Sequence, residues 1–228
     1  MATDVQERIQ FDSLVPWTGT FLNLDKPKTI SQSSREVPKF SANFEIEKGS
    51  TEEARLRAAI VAAARQKWPN LDIGAAIKEG RLHVPLSDGD KLADQAAKNS
   101  EASGKKRLRE WSRGKVVLVA RSKDEFPPAV TFRENGHTVE CETLDAVARA
   151  KGKYLYTGVQ VLFGVKFAAY DAVGEDGKPS VVAYLEAVES LGTGERLIAQ
   201  RDKTERFKGY MGLEKDEDPT GADAGGDW

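Results

Sequence analysis

The sequence predicts a mainly β protein with one long helix, an α+β chain whose strands curl into a small sheet or barrel. Five or six segments have strand character, and the clearest alternates apolar and polar residues at period two. One alanine-rich stretch of helical period lies between the early and late strands. The strand–helix alternation of a doubly wound parallel sheet is missing.

The elements follow in order. Residues 1–14 read as a flexible lead-in. Residues 17–24 are rich in threonine and aromatic side chains and form the first strand, before a polar loop over residues 27–35. Residues 37–48 alternate: Phe40, Ala42, Phe44 and Ile46 face one way, Lys39, Ser41, Asn43 and Glu45 the other. Ser50 or Thr51 caps a helix that runs to about Trp68, with Glu52 and Glu53 at its positive end. Leu56, Ala59, Ile60, Ala63 and Ala64 make its buried stripe, and Pro69 ends it. Residues 69–90 read as loops and turns around Leu82 and Val84. Two readings stand for residues 90–111, helical or mobile.

Residues 116–120 form a buried strand, and Pro127 with Pro128 breaks the chain before a short strand at 129–132. Thr143 caps a short helix to Ala150. Residues 153–157 and 159–170 read as strand segments separated by a kink or bulge at Gly158. A turn at 174–179 leads into the last strand, 180–188, as a hairpin. On 159–170, Val159, Val161, Phe163, Val165 and Phe167 fill one face, while Gln160, Lys166 and Tyr170 share the other.

A chain of 228 residues suits one domain with extensions. Its formal charge of −2 hides an asymmetry. Residues 214–228 carry six acids and one lysine, whereas the remainder holds 33 basic and 30 acidic side chains. Cys141 is the only cysteine, which excludes an intramolecular disulfide and a cysteine-based zinc cluster. The N-terminus lacks a signal-peptide h-region and no run approaches the ~18 apolar residues of a membrane span, so an intracellular protein without membrane contact is expected.

Signals of catalysis are weak. His83 and His137 lack metal-ligand spacing, a phosphate-binding P-loop is absent, and Gly192–Gly194 follows a hairpin as an ordinary turn. Asp124, Glu125, Asp171, Glu175 and Asp176 could serve a metal-dependent nuclease, but they fall in turn-like stretches where acids are common for solvation alone. The expectation is no catalytic residue, no cofactor and no metal.

Basic residues paired with rings are the stronger signal, because single-stranded nucleic acid needs cations along its phosphates and flat rings under its bases. Trp17 and Phe21 precede Lys26 and Lys28. Trp111 is framed by Arg109, Arg113 and Lys115, and Lys153 neighbours Tyr154 and Tyr156. Lys166 and Tyr170 lie four residues apart on an open strand face, and Lys39 and Arg121 carry charge on or beside strands. Lys105, Lys106 and Arg107 read either as a basic finger reaching for phosphates or as a solvated run. The C-terminal segment, with Asp216, Glu217, Asp218, Asp223, Asp227 and a terminal Trp228, is too polar to form a core and is expected to be a disordered interaction tail.

The ordered set of segments resembles the single-stranded DNA-binding proteins of tailed bacteriophages. The resemblance rests on the N-terminal strand, residues 38–49, the alanine-rich helix ending in Lys67 and Trp68, residues 85–90, 116–123, 128–130 and 153–158, and the hairpin over 161–191. It implies an OB fold, a five-stranded Greek-key barrel with inserted helix and loops, over residues 15–213. It also implies sequence-independent binding of single-stranded DNA in the cytoplasm of an infected bacterium, without enzymatic activity. Trp17, Lys39, Lys105, Lys106, Arg107, Trp111, Arg113, Arg121, Tyr154, Tyr156, Lys166 and Tyr170 are the candidate contacts. The tail, residues 214–228, would contact phage or host replication and recombination proteins and compete with DNA for the groove. Family tails end on phenylalanine where this one ends on Trp228, and Pro127 stands where the family pattern has arginine. A virion or scaffold interaction module is the alternative from another class. The oligomeric state is left open.

Overall fold

The computed structural model describes residues 8–29, 37–103, 109–173 and 177–198. The described residues up to Leu197 belong to one compact unit, and of residues 198–228 only Ile198 is described. Residues 30–35 of the expected polar loop, the basic finger Lys105–Arg107, residues 174–176 of the expected turn and the tail therefore lie outside the described residues, while 27–28 extend the strand before that loop and 178–179 open the strand after that turn.

Among the described residues nine strands form one mixed sheet: β1 (Ile9–Asp12), β2 (Trp17–Lys28), β3 (Lys39–Glu47), β4 (Leu86–Asp88), β5 (Lys115–Lys123), β6 (Ala129–Glu134), β7 (His137–Glu140), β8 (Val159–Val173) and β9 (Lys178–Ser190). The order is β1-β8-β2-β3-β5-β9-β6-β7, with β4 also on β5. Because β8 pairs β9 as well as β2, the path β8-β2-β3-β5-β9 returns to its start. The β5–β9 and β6–β9 contacts are parallel, and the other pairings between these strands are antiparallel.

The expectation of a five-stranded barrel is corrected by four further strands, of which β6 falls on the expected segment 129–132 and β1, β4 and β7 are new. β1 and β2 occupy successive stretches of the same long neighbour: Trp17–Gly19 face Val161–Val159, and Ile9–Asp12 face Phe167–Gly164. Residues 9–12 are thus not a flexible lead-in. Phe11 is buried, with its ring 6.1 Å from Phe163 and 6.4 Å from Phe167. Ser13 locks the end of the strand by donating its N–H to the Phe163 carbonyl and accepting the Phe163 N–H at its hydroxyl. β6 and β7 form a hairpin over Asn135 and Gly136, both at positive φ as a tight two-residue turn requires. Residues 86–88, expected as a turn, pair with β5.

The expected long helix is found intact, and a second long helix is added to it. α1 (Thr51–Lys67) is capped by Ser50, whose hydroxyl accepts the Glu53 N–H, while Glu53 accepts the Gly49 N–H in return. α2 (Ile73–Lys78) is capped by Asp72, and α3 (Gly89–Ser103) supplies the helical reading of the residues that follow Asp90. α4 (Leu144–Ala150) is capped by Thr143 as expected. Leu56, Ile60, Ala63 and Ala64 of α1 are buried. In the core Phe44 stacks on Phe163 at 3.9 Å, and Trp17 meets Phe163 edge-on at 5.2 Å.

Residues 153–157 are not a strand. They form a turn closed by a bridge between Lys151 and Leu155, with Gly152 and Gly158 both at positive φ. A side chain at Gly158 would collide with the Glu195 carbonyl.

Candidate nucleic-acid interface

The outer face of the sheet is organised by one cross-strand row. Asn23 faces Ser41, Ser41 faces Arg121, Arg121 faces Tyr184, and Tyr184 faces Lys166. Directly opposed residues share a face, so this row crosses β2, β3, β5, β9 and β8 on the side away from Ala42 and Phe44. A second row, one pleat toward the strand ends, sets Lys28 against Lys39 and Lys39 against Lys123. Adjacent like charges are unfavourable in a sheet, so three lysines abreast make a surface suited to an anion.

A cleft of about 370 Å³ lies over β2, β3 and β5, lined by Phe21, Asn23, Ser41, Asn43, Arg109, Val119 and Arg121. Phe21 reaches it through a break in the β2 alternation. The register with β3 shifts between Thr20 and Asn23, and Phe21 has φ 52°, a left-handed conformation that costs a non-glycine residue about 1–2 kcal/mol. Trp17 and Gly19 before the break and Leu22 and Leu24 after it are buried, while Phe21 is 40 % exposed.

The Arg109 guanidinium lies 4.9 Å from the Phe21 ring centroid. Fully buried Glu45 holds it there: one carboxylate oxygen accepts from Arg109 at 3.1 Å, from the Thr20 hydroxyl at 2.9 Å and from the Ser112 hydroxyl at 2.9 Å. The ring and cation over the strands are therefore positioned by a charged, hydrogen-bonded cluster beneath them.

A second cleft of about 380 Å³ adjoins across β5 and β9, lined by Arg8, Ser122, Lys123, Phe126, Tyr170, Tyr184, Leu185 and Glu186. The Tyr170 and Tyr184 hydroxyls hydrogen-bond at 2.7 Å, and Arg8 sits 4.5 Å over the Tyr184 ring. Burial and the bond to Tyr170 push the Tyr184 phenol up to about 12.

Of the sequence-predicted contacts, Lys39, Arg121, Lys166 and Tyr170 come together on this face. Lys166 pairs with Glu186 at 2.6 Å. Trp17 is a correction: it is 1 % exposed and packs in the core, so it offers no ring to a base. Tyr154 and Tyr156 are corrected in position. The Ser190 hydroxyl donates to the Tyr154 carbonyl, and Ser190 faces Val161, nine residues along β8 from Tyr170, which is about 30 Å. There Tyr154 stacks on Phe132 at 4.1 Å and bonds Glu134, while Tyr156 lies beneath Arg196. The bond from Tyr154 and the charge of Lys153 hold the Glu134 carboxyl below its usual range.

Trp111 is half-buried on the 3-10 turn Glu110–Ser112, ahead of β5. Arg113 is bound by Glu110 at 2.5 Å and Asp94 at 2.9 Å, which raise its pKa and occupy its charge. Both flank Ser112, whose hydroxyl is bonded to Glu45 beneath the first cleft, and neither is among that cleft's lining residues. Lys105, Lys106 and Arg107, and the tail with Asp216, Glu217, Asp218, Asp223, Asp227 and Trp228, lie outside the described residues.

Tyr184, Phe126, Arg8 and Lys123 were not singled out from the sequence. Tyr184 was findable: buried Val181, Ala183 and Leu185 place it on the opposite face of β9 at period two. Arg8 and Phe126 carry no such local signal.

Among the described residues no group of three or more His, Cys, Asp or Glu side chains is arranged to hold a metal ion, and no helix is long and apolar enough to cross a membrane. Asp171 of the nuclease alternative instead accepts the Trp68 indole N–H at 3.0 Å and pairs with Lys67 at 2.9 Å.

The single-stranded DNA-binding protein from bacteriophage Enc34 has a similar structure, with a TM-score of 0.53 at 17% identity, covering 90% of this chain and 95% of that one. The structure of the Enc34 protein in complex with ssDNA gives a TM-score of 0.54 at 15% identity, covering 86% of this chain and 97% of that one. These likenesses bear on the fold. A comparison with curated proteins finds no match. The family model described as "Enterobacter phage Enc34, ssDNA-binding protein" matches residues 19–219. The chain belongs to the family of the Enterobacter phage Enc34 single-stranded DNA-binding protein.

Proposed function

We propose that this protein binds single-stranded DNA without sequence preference in phage DNA replication or recombination, as a non-enzymatic protein that covers and protects the strand. The observation that carries this reading is the row from Asn23 to Lys166, with a ring–cation cleft on it and three lysines beside it. Phe21 stacks a base, Arg109 and Arg121 flank it, and Lys28, Lys39 and Lys123 follow the phosphates. Lys166 and Tyr170 lie on the same course. The closed path β8-β2-β3-β5-β9 is read as a five-stranded OB barrel of Greek-key order, whose open face is the common place for single strands.

The net −5 of residues 214–228 supports a tail that competes with DNA for the basic face and, once displaced, recruits replication and recombination proteins through Trp228. The setting is the cytoplasm of an infected bacterium.

A mobility-shift experiment with single- and double-stranded DNA, with and without magnesium, tests the reading. The expected result is retardation of the single strand, intact and independent of magnesium, with affinity falling steeply with salt. No retardation at low salt would sink it in favour of a protein-interaction module. Magnesium-dependent cleavage would establish a nuclease instead.

A further inference from the structure

We infer that the cleft between β5, β9 and β8 is a second nucleobase site, with Phe126 as its stacking ring, so that a bound strand crosses the sheet from the Phe21 cleft over the Arg121–Tyr184 pair. This rests on the single-strand-binding reading above and adds the course of the strand.

Phe126 is 66 % exposed, the larger part of its ring facing solvent. A tight turn fixes its backbone: its N–H donates to the Lys123 carbonyl at 3.1 Å, and two prolines follow. A rigid backbone presenting a solvent-facing ring at the lip of a cleft holds a stacking surface at little ordering cost. Tyr170 and Tyr184 form the wall. Their mutual hydrogen bond fixes both phenols, and their rings stand 6.5 Å apart at 69°.

The charge of the cleft favours a phosphate-bearing ligand. Lys123 and Arg8 stand at the rim, and the acid among the lining residues, Glu186, is taken up by Lys166. The volume, about 380 Å³, falls within the range of small-molecule sites.

Continuity selects a base of the same strand as the occupant. Arg121 lines the first cleft and its register partner Tyr184 lines the second. From β2 to β8 along the row is four strand spacings, about 19 Å.

The test uses the full chain and oligo-dT of about 4 and about 12 nucleotides, which span most of the range of site sizes for single OB folds. Phe126→Ala should weaken binding of the longer oligonucleotide about tenfold, the loss of one stacked base, and leave the shorter nearly unchanged. Phe126→Trp should restore affinity and add fluorescence that the longer oligonucleotide quenches. Phe21→Ala should weaken both lengths. Equal effects of Phe126→Ala on both lengths, no effect on the longer, or no added quenching with Phe126→Trp would overturn the second site while leaving the first intact. Failure of the wild-type chain to bind either length would overturn the single-strand-binding reading itself.

Discussion

Arg121 on β5 and Tyr184 on β9 oppose each other as the registered pair of the parallel β5–β9 contact, one lining each of the two outer clefts. Parallel pairing at this point joins the end of β5 to the long β8–β9 hairpin. A cation from one strand and a ring from another are thereby neighbours although 63 residues separate them in sequence.

The lysine row behaves differently from ordinary surface charge. Lys39 stands between Lys28 and Lys123, so removing it relieves repulsion. Lys39→Ala should leave the thermal midpoint unchanged or slightly raised, and yet weaken single-strand binding. The slope of log affinity against log salt should become shallower by about 0.7 for each phosphate no longer neutralised. The same titration on Arg121→Ala checks the cation at the cleft seam, and an unchanged slope in both variants would remove these residues from the DNA path.

Trp17 is a stability residue. Its ring packs edge-on to Phe163, and its buried indole N–H has no acceptor among the described residues. Trp17→Ala should cost about 3–5 kcal/mol in chemical denaturation. Trp17→Phe removes an N–H that makes no hydrogen bond and should cost less, with single-strand affinity unchanged. A large affinity loss in a folded Trp17→Phe protein would contradict its assignment to the core.

That pair of aromatics also shows where the sequence was legible and where it was not. Alternation on β3 and β8 and the capped stripe of α1 identified faces correctly, because each element carries its pattern locally. On β2, Trp17 and Phe21 share parity and would share a face on an unbroken strand. The bulge at Phe21 sends one ring inward and the other outward, and a bulge is set by the partner strand. The added strands were hidden for a related reason. β1 and β4 are too short to show a period, and their burial comes from distant neighbours. The β6–β7 hairpin did carry a local sign, Asn135 followed by Gly136. Of the interface, the cations and rings on strands were recognisable by type, whereas the row that assembles them exists only through register.

Tyr184 gives a pH signature. Its folded-state value of about 12 stands above the ordinary 10.0, so the neutral phenol is favoured in the folded protein. Such a group contributes stability fully present below pH 10.0 and lost as the pH rises through about 12. Denaturation midpoints measured across this window should fall for the wild type and fall less for Tyr184→Phe. Phenolate absorbance should show one tyrosine ionising later than the rest, absent in that variant. Identical profiles for the two proteins would contradict the part-buried Tyr170–Tyr184 bond.

Glu45 links the stability of the sheet to the geometry of the first cleft. Its carboxylate is fully buried and collects the Arg109 guanidinium with the Thr20 and Ser112 hydroxyls. Glu45→Ala would leave Arg109, itself largely buried, without its counter-charge and should cost about 3–5 kcal/mol. Glu45→Gln keeps an acceptor but not the charge, so it should cost less and leave the fold intact. Arg109 would then be held over Phe21 by weaker bonds, and single-strand affinity should fall several-fold while the Lys39 salt response persists. Urea denaturation and a dT titration on the Gln variant separate the two effects. A Gln variant with full affinity would show that Arg109 needs no anchor to serve the cleft.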